Sequence, residues 1–457
     1  MTMQSGSVDA LLAFLFAASV AWLLVPWAES IARRIGAIDE PSERGLHDVP
    51  TPKLGGLAIL VAVLGAGLIW LPWDGQTRAI LAGALLITAL GVVDDVYELP
   101  ALPKLLGQTV AASIPVAFGD VVVDVTTLPF VGGFSLGWVA YPVTIVGIVA
   151  VINVVNFIDG VDGLASGVCA IAAAALAIIA ISLDRNVAGV LAALTAGASL
   201  GFLRHGFPPA SSFMGDTGSN LLGYLLATVA VLGSLKTNAA LALALPLVVL
   251  AVPILDTGFV VAKRLKHGQP IYRADRWHFH HRMANIGFSQ RRTLAYLYGW
   301  TLILAGLALA LRFVPYSDDR GNFDPAWTVL MVALVLFALA ASFYVIVVLE
   351  ILKLRRLRLR QLRLARLGPR GAAGEREADA GVARELETGR FRAVNPDTGE
   401  VAAVDPRSGR VRKVSGSSKR KGAKKGSSRA SKASARKKPA SPRKGGRGSA
   451  SQGRRRS

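Results

Sequence analysis

Apolar residues in this chain gather in long runs separated by short polar stretches. Runs of about 17–25 residues are long enough to cross a bilayer as a helix. They lie near residues 8–27, 54–73, 78–93, 104–121, 137–155, 164–183, 187–203, 220–236, 239–261, 294–314 and 326–350. The pattern predicts an all-α polytopic membrane protein with about 11 transmembrane helices (10–11). The faintest runs are the fourth, around KLLGQTVAASIPVAF, and the seventh. No basic residue precedes the first run, and it ends in LVPWAES rather than at a small-residue cleavage site. That predicts a first membrane helix instead of a removable leader.

An odd helix number puts the two ends of the chain on opposite sides. With residues at helix ends given to the nearer loop, the loops 28–53, 94–103, 156–163, 204–219 and 262–293 hold 14 Lys+Arg, and the opposite set holds 5. The positive-inside rule makes the first set cytoplasmic, with an external N-terminus and a cytoplasmic C-terminus. The longest external loop, 122–136, offers one acid and no base. Asp94, Asp95, Asp159, Asp162, Asp216 and a cluster of histidines all fall on the cytoplasmic side. Chemistry collected on one face suits an enzyme with a cytoplasmic substrate. A lipid or sugar transporter would place charge at mid-bilayer.

Composition agrees, at 52% hydrophobic and 18% charged residues. The net charge of +21 belongs to the tail, because residues 351–457 hold 32 Lys+Arg against 8 Asp+Glu. A single cysteine, Cys169, excludes both a disulfide framework and a thiolate metal site. The expected organisation is a polytopic domain over 1–350, a basic juxtamembrane helix over 351–370 and a basic, largely disordered tail over 371–457. Leu and Arg interleave in ILKLRRLRLRQLRLARLGPRG, which suits an anionic leaflet surface. Two Asn/Asp-Pro units in VNPDTGEVAAVDPRSGRV predict a small hairpin. Beyond Ser415 the tail has almost no apolar content. Tethering makes lipid headgroups its nearer partner, and no specific nucleic-acid partner is expected. A solvated extension without a partner fits equally well.

Three motifs carry candidate chemistry. GVVDDVYELP places two adjacent carboxylates, Asp94 and Asp95, at a membrane boundary. They need a compensating cation or donor when both ionise, so they attract Mg²⁺ or a proton-bearing nucleophile, although a solvated helix end also explains a lone pair. NVVNFIDGVDGLASG holds Asn153 and Asn156 three apart, then two Asp-Gly units at Asp159 and Asp162. One such unit would suffice for a turn. In SSFMGDTGSNLLG the stretch Gly215–Ser219 precedes a helix, so its hydroxyls and amides can cap that helix or hold phosphate. Several carboxylates with few ligand histidines suit a hard cation, Mg²⁺ or Mn²⁺, in a phosphoryl-type transfer.

DRWHFHHR (275–282) adds three histidines and two arginines. A metal site would need further ligands, and Arg276 and Arg282 repel a divalent ion. Stacking of Trp277 and the histidines at the bilayer interface is a plainer account. Anion binding fits the residue types better, through imidazole and guanidinium donors.

Together with HDVPTPKLGG (47–56), these stretches resemble, in order and spacing, the polyprenyl-phosphate N-acetylhexosamine-1-phosphate transferases, the superfamily of MraY translocases and GlcNAc-1-phosphate transferases. The resemblance implies attack of polyprenyl phosphate on a UDP-sugar, giving polyprenyl-diphosphate sugar and UMP, with Mg²⁺ required. It implies Asp94 and Asp95 as the catalytic acidic pair, Asp216 as metal ligand with Asp94, and Asn156, Asp159 and Asp162 at the nucleotide sugar. It also implies Phe213 stacking on uracil, and Lys53 and His47 facing phosphates. The His278-Phe279-His280-His281-Arg282 spelling is similar to the GlcNAc branch rather than the three consecutive histidines of MraY. That implies UDP-GlcNAc as donor, with His278, His280 and Arg282 at the substrate and His281 catalytic; a MraY-type donor, UDP-MurNAc-pentapeptide, is the alternative. The RGLH stretch departs from the more basic family pattern and leaves Gly45 without a role. A bacterial plasma membrane and a homodimer follow from the resemblance too. A receptor or scaffold recruiting partners through the tail would leave all five motifs unexplained.

Overall fold

The computed structural model describes residues 2–40, 50–123, 125–128, 132–234, 246–266, 283, 288–316, 323–365, 393–394, 401–404 and 411–412. Among the described residues its frame is eleven helices: α1 (Thr2–Ile35), α2 (Gly56–Trp70), α3 (Gly75–Tyr97), α4 (Ala101–Phe118), α5 (Ala140–Ile158), α6 (Leu164–Ser182), α7 (Asn186–Gly206), α8 (Gly215–Ser234), α9 (Ala251–Lys266), α10 (Gln290–Phe313) and α11 (Pro325–Ala365). The described part of each apolar run read from the sequence overlaps one of them. Among the described residues eight helices are long and apolar enough to cross a membrane, namely α1, α3 to α7, α10 and α11, while α2 and α9 are shorter apolar helices. The chain is a multi-pass, predominantly helical membrane protein.

Between membrane helices there is no hydrophobic drive, because lipid is as apolar as leucine, so close packing of small residues has to hold the bundle. α1 shows how. Ala10, Ala13, Ala17, Ala21, Val25, Ala28 and Ala32 form a buried stripe at three- and four-residue spacing, while Leu11, Leu15, Trp22 and Leu23 on other faces stay exposed. The stripe meets α7, where Gly197 and Gly201 lie against the backbone of Phe14 and Ala18. The exposed leucines have lipid as their solvent.

α8 is the central helix, packed by α2, α3, α5, α6 and α7. Leu221, Leu222, Tyr224 and Leu225 are fully buried along it, and the Tyr224 hydroxyl donates to the Ile80 carbonyl at 2.9 Å. The start of α8 is thus surrounded by helix ends, which is where the polar motifs converge.

Short strands decorate the ends. β1 (Ile38–Asp39) pairs antiparallel with β2 (Thr51–Pro52), and β3 (Val125–Leu128) pairs with β4 (Gly132–Ser135) as a hairpin inside the segment read as a plain loop. In the tail, β5 (Ala393–Val394), β6 (Val401–Val404) and β7 (Val411–Arg412) form a three-stranded antiparallel meander rather than the expected hairpin. Two Asn/Asp-Pro units separate three strands. The contact pattern divides the chain after Val414, and residues 415–457 lie outside the described residues.

Candidate active site

The site begins with a close approach of two helices. Gly91, one turn before Asp95 on α3, lies against α8 so tightly that an added Cβ would sit 2.5 Å from the Thr217 Cα and 2.6 Å from the Asp216 carbonyl oxygen. With that spacing, the Asp95 carboxylate reaches the first turn of α8. It accepts from the backbone N–H groups of Asp216 and Thr217, both at 2.9 Å, and from the Thr217 hydroxyl at 2.6 Å. These are N–H groups that a helix start leaves without intrahelical partners. Asp95 therefore caps α8 from another helix, and negative charge at a helix N-terminus is favourable. Of the two uses open to the GDTGS amides, capping is the one that the Asp216 and Thr217 N–H groups serve. Gly91→Ala should force α3 and α8 apart and destabilise the protein by about 1–3 kcal/mol. A thermal melt in detergent together with an activity assay checks it, and both should fall.

Asp94, only 8% exposed, points to the other side of α3. One of its oxygens accepts from the Leu99 N–H at 2.7 Å, which fixes the turn after α3. The other pairs with the Lys104 ammonium at 2.8 Å. Lys104 also pairs with Asp216. One ammonium from the first turn of α4 thus bridges carboxylates from α3 and α8. Asn156, from the last turn of α5, donates to Asp216 at 2.7 Å and to the Ser219 hydroxyl at 2.9 Å.

One turn deeper, the same three helices meet again. Gln108 on α4 accepts from Asn153 on α5 at 2.8 Å and donates to Asn220 on α8 at 3.4 Å. Lys104/Gln108, Asn156/Asn153 and Asp216/Asn220 are successive helical neighbours, so a second polar layer lies beneath the first. Asn153 therefore belongs to the bundle's internal cross-link and not to the open site that its spacing from Asn156 suggested.

A cavity of about 270 Å³ opens above these layers. Lys53, Asp95, Asn156, Asp159, Asp162, Phe213 and Asp216 all line it, so one space gathers most of the residues singled out from sequence. Asp94 adjoins it through Lys104. The Asp162 carboxylate accepts from the Ala210 N–H at 3.2 Å, tying the α5–α6 turn to the segment before α8. Lys53 arrives because its strand runs beside residues 213 and 214: Phe213 N–H donates to the Pro52 carbonyl at 2.8 Å, and Gly55 N–H donates to the Phe213 carbonyl at 2.9 Å. The Lys53 ammonium pairs with Asp39 at 3.2 Å and remains at the cavity wall. His47, His278, His280, His281 and Arg282 lie outside the described residues.

Asp159 closes α5 and faces three other acids. Its carboxyl is held well above the usual carboxylate range, first by its low-dielectric surroundings and then by the charges of Asp216, Asp95 and Asp162. An acid whose folded pKa is raised loses stability as pH climbs from its unfolded value to its folded one, because the unfolded chain releases the proton first. Asp159→Asn removes that loss. Metal-free Asp159→Asn protein should melt higher than wild type at neutral pH, with the gain vanishing below the ordinary carboxylate pKa; a pH series of thermal melts reads it.

Among the described residues no three His, Cys, Asp or Glu side chains form a ready-made metal cage. The donor set still fits one kind of cation. Mg²⁺ is held by one or two carboxylates with the rest of its shell from water and substrate phosphate. Asp94 and Asp216 converge on one cationic group already, and the acids around Asp159 leave a surplus of negative charge.

Lys104 is the residue that the sequence reading passed over. Its signal was available: a lysine in the first turn of an apolar helix is almost never buried without an acid partner, and the Asp94–Asp95 pair stands nine or ten residues earlier.

The comparisons with known proteins decide the family. The family model described as glycosyl transferase family 4 matches residues 77–234, which hold the acid pair, Lys104, Asn156, Asp159, Asp162 and Asp216. A protein of Bacillus subtilis (strain 168) named a probable undecaprenyl-phosphate N-acetylglucosaminyl 1-phosphate transferase is 38% identical over 302 residues, covering 65% of this chain and 84% of the relative. The chain belongs to glycosyl transferase family 4. The decaprenyl-phosphate N-acetylglucosaminephosphotransferase of Mycolicibacterium smegmatis is 35% identical, over 66% of this chain and 82% of its own length. A phospho-N-acetylmuramoyl-pentapeptide-transferase of Heliobacterium modesticaldum is 33% identical over 65% and 96%. This family 4 member is a phosphotransferase of the polyprenyl-phosphate N-acetylhexosamine-1-phosphate superfamily, on the GlcNAc-1-phosphate branch.

Proposed function

We propose that the protein transfers GlcNAc-1-phosphate from UDP-GlcNAc to polyprenyl phosphate at the cytoplasmic face of a bacterial plasma membrane, as the first membrane step of a cell-envelope glycan. The observation that carries this reading is the convergence of Asp94, Lys104, Asn156 and Asp216, from four helices, beside a cavity lined by Asp159, Asp162 and Phe213. A phosphate oxygen of the lipid attacks the β-phosphorus of the UDP-sugar. The bond from that phosphorus to the bridging oxygen breaks, UMP leaves, and a polyprenyl-diphosphate sugar remains.

Phosphoryl transfer asks the protein chiefly for positioning and charge. Asp94 and Asp216 would hold Mg²⁺, or Mn²⁺ in its place. Bound there, the cation supplies charge neutralisation at the diphosphate. Lys104 keeps the two carboxylates oriented and adds positive charge where phosphate oxygens collect. Asp94 takes the residual proton of the lipid phosphate, a small task because a phosphate monoester is largely deprotonated at pH 7. Asn156 and Asp95 hold the first turn of α8 in place. Phe213 stacks on uracil, Asp159 and Asp162 accept from the nucleotide sugar, and Lys53 meets phosphate together with the 275–282 segment and His47. A homodimer remains part of the proposal.

The donor is tested by offering the purified protein UDP-GlcNAc and UDP-MurNAc-pentapeptide in competition with polyprenyl phosphate. UDP-GlcNAc should be consumed in strong preference. Preferential consumption of the pentapeptide donor would move the protein to the MraY branch.

A further inference from the structure

A second cavity, of about 590 Å³, lies at the end of the bundle that carries the acid cavity, between the last turn of α7, the 207–211 segment and the start of α10. Its chemistry is opposite in sign. Arg204 and Arg291 line it and both are exposed. Among the described residues no carboxylate lies within ion-pair distance of either one. Arg291 is held in place without being neutralised: its Nε and Nη2 donate to the Pro208 carbonyl at 3.3 and 3.2 Å, and its guanidinium lies 5.9 Å from the Phe207 ring centre. Arg204 makes no such contact. Glu29, an acid beside the cavity, accepts from the Ser211 hydroxyl at 3.1 Å.

The depth of this cavity can be read from α1. His205, in its wall, contacts the Trp22 carbonyl at 3.1 Å through Nε2. Trp22 and Trp27 are each about half exposed on the outer surface of α1, and exposed tryptophans mark the membrane–water interface. Leu200, one turn below Arg204, is 47% exposed and opens the cavity to lipid. The two arginines therefore stand at headgroup depth, above an apolar slot.

We propose that this cavity binds the phosphodiester headgroup of an anionic phospholipid, with Arg204 and Arg291 on the phosphate and an acyl chain lying along Leu200. Basic pockets between membrane helices recognise anionic headgroups in this way. The polyprenyl phosphate substrate shares the chemistry of a lipid-borne phosphate, but its phosphate has to reach Asp94 and Asp216, on the other side of the α7 end. That end is a shared wall: Phe202 and Gly206 line the acid cavity, Arg204 and His205 line this one, and Gly163 of the acid cavity packs on Leu203 and Phe207. Headgroup occupancy would brace the wall on which the Asp159–Gly163 turn rests.

The test uses full-length protein in nanodiscs containing photoreactive phosphatidylglycerol or photoreactive phosphatidylcholine, with adducts mapped by mass spectrometry. Phosphatidylglycerol should label the peptide 200–211, and phosphatidylcholine should not. Arg204→Gln should weaken labelling there about fivefold and Arg204→Gln/Arg291→Gln about thirtyfold. Labelling of the basic tail should not change. Because the Arg204 side chain makes no hydrogen bond or ion pair among the described residues, its single variant should keep the wild-type melting temperature, which separates loss of binding from loss of fold. Equal labelling by both lipids, or labelling unchanged in the double variant, would overturn the proposal. Complete displacement by inorganic phosphate would leave a free-anion site only, and complete displacement by polyprenyl phosphate would make it a substrate subsite.

Discussion

Asp216→Asn is expected to lower the rate of UMP release by at least about 10²–10³, the range that removal of one preorganised electrostatic group costs. The fold should survive. The new amide oxygen can still accept from Asn156, whose bond to Asp216 is 2.7 Å, and Lys104 keeps Asp94 at 2.8 Å. What disappears is half of the carboxylate pair proposed to hold Mg²⁺, so the Mg²⁺ concentration giving half-maximal rate should rise along with the loss of turnover. Initial rates across a Mg²⁺ titration measure both. A variant with wild-type rate and unchanged Mg²⁺ dependence would remove Asp216 from the metal role.

Lys104→Met is expected to have a comparable effect on turnover and the opposite effect on metal. Methionine matches the length and apolar stem of lysine but lacks the ammonium. Asp94 and Asp216 then face each other with no fixed cation, which makes a divalent ion more welcome to them. Apparent Mg²⁺ affinity should stay level or tighten while turnover falls by about 10²–10³. If turnover and Mg²⁺ affinity fell together, Lys104 would be no more than a strut holding the ligands. Melting temperature without metal should drop, since breaking a buried ion pair by removing one partner leaves charge uncompensated. Lys104→Arg should recover only part of the rate, because a planar fork cannot place its charge between the two carboxylates as a compact ammonium does.

The fold was legible because bilayer thickness imposes a length on apolar segments, and among the described residues eight of the apolar runs are helices long enough to span. The motifs were legible for a related reason. Polar residues such as Asp94, Asn156, Asp159 and Asp216 are conspicuous at the ends of apolar runs, where their cost demands a purpose. Their division of labour was not legible. Asp94 and Asp95 are adjacent in sequence, yet a helix sends successive side chains in different directions, so one meets a lysine on α4 and the other caps α8. Lys104 and Asp216 are 112 positions apart, and no local pattern announces such a pair. The Gln108–Asn153–Asn220 layer was hidden in the same way. Each amide alone reads as an ordinary polar residue in a membrane helix, and only the crossing of three helices makes them a layer. The tail strands show the reverse case, where both local turn units are visible in the sequence but two turns join three strands rather than the two of a single hairpin.

The most direct test of the account is the fate of the β-phosphorus. Purified protein, polyprenyl phosphate and UDP-GlcNAc labelled in the β-phosphate are incubated with Mg²⁺ or with a chelator, and the lipid and aqueous phases are counted. The account predicts that the label moves to the lipid together with the sugar, that UMP appears in equal amount, and that the chelator stops both. Release of UDP, or label that stays in water with every UDP-HexNAc tried, would contradict it.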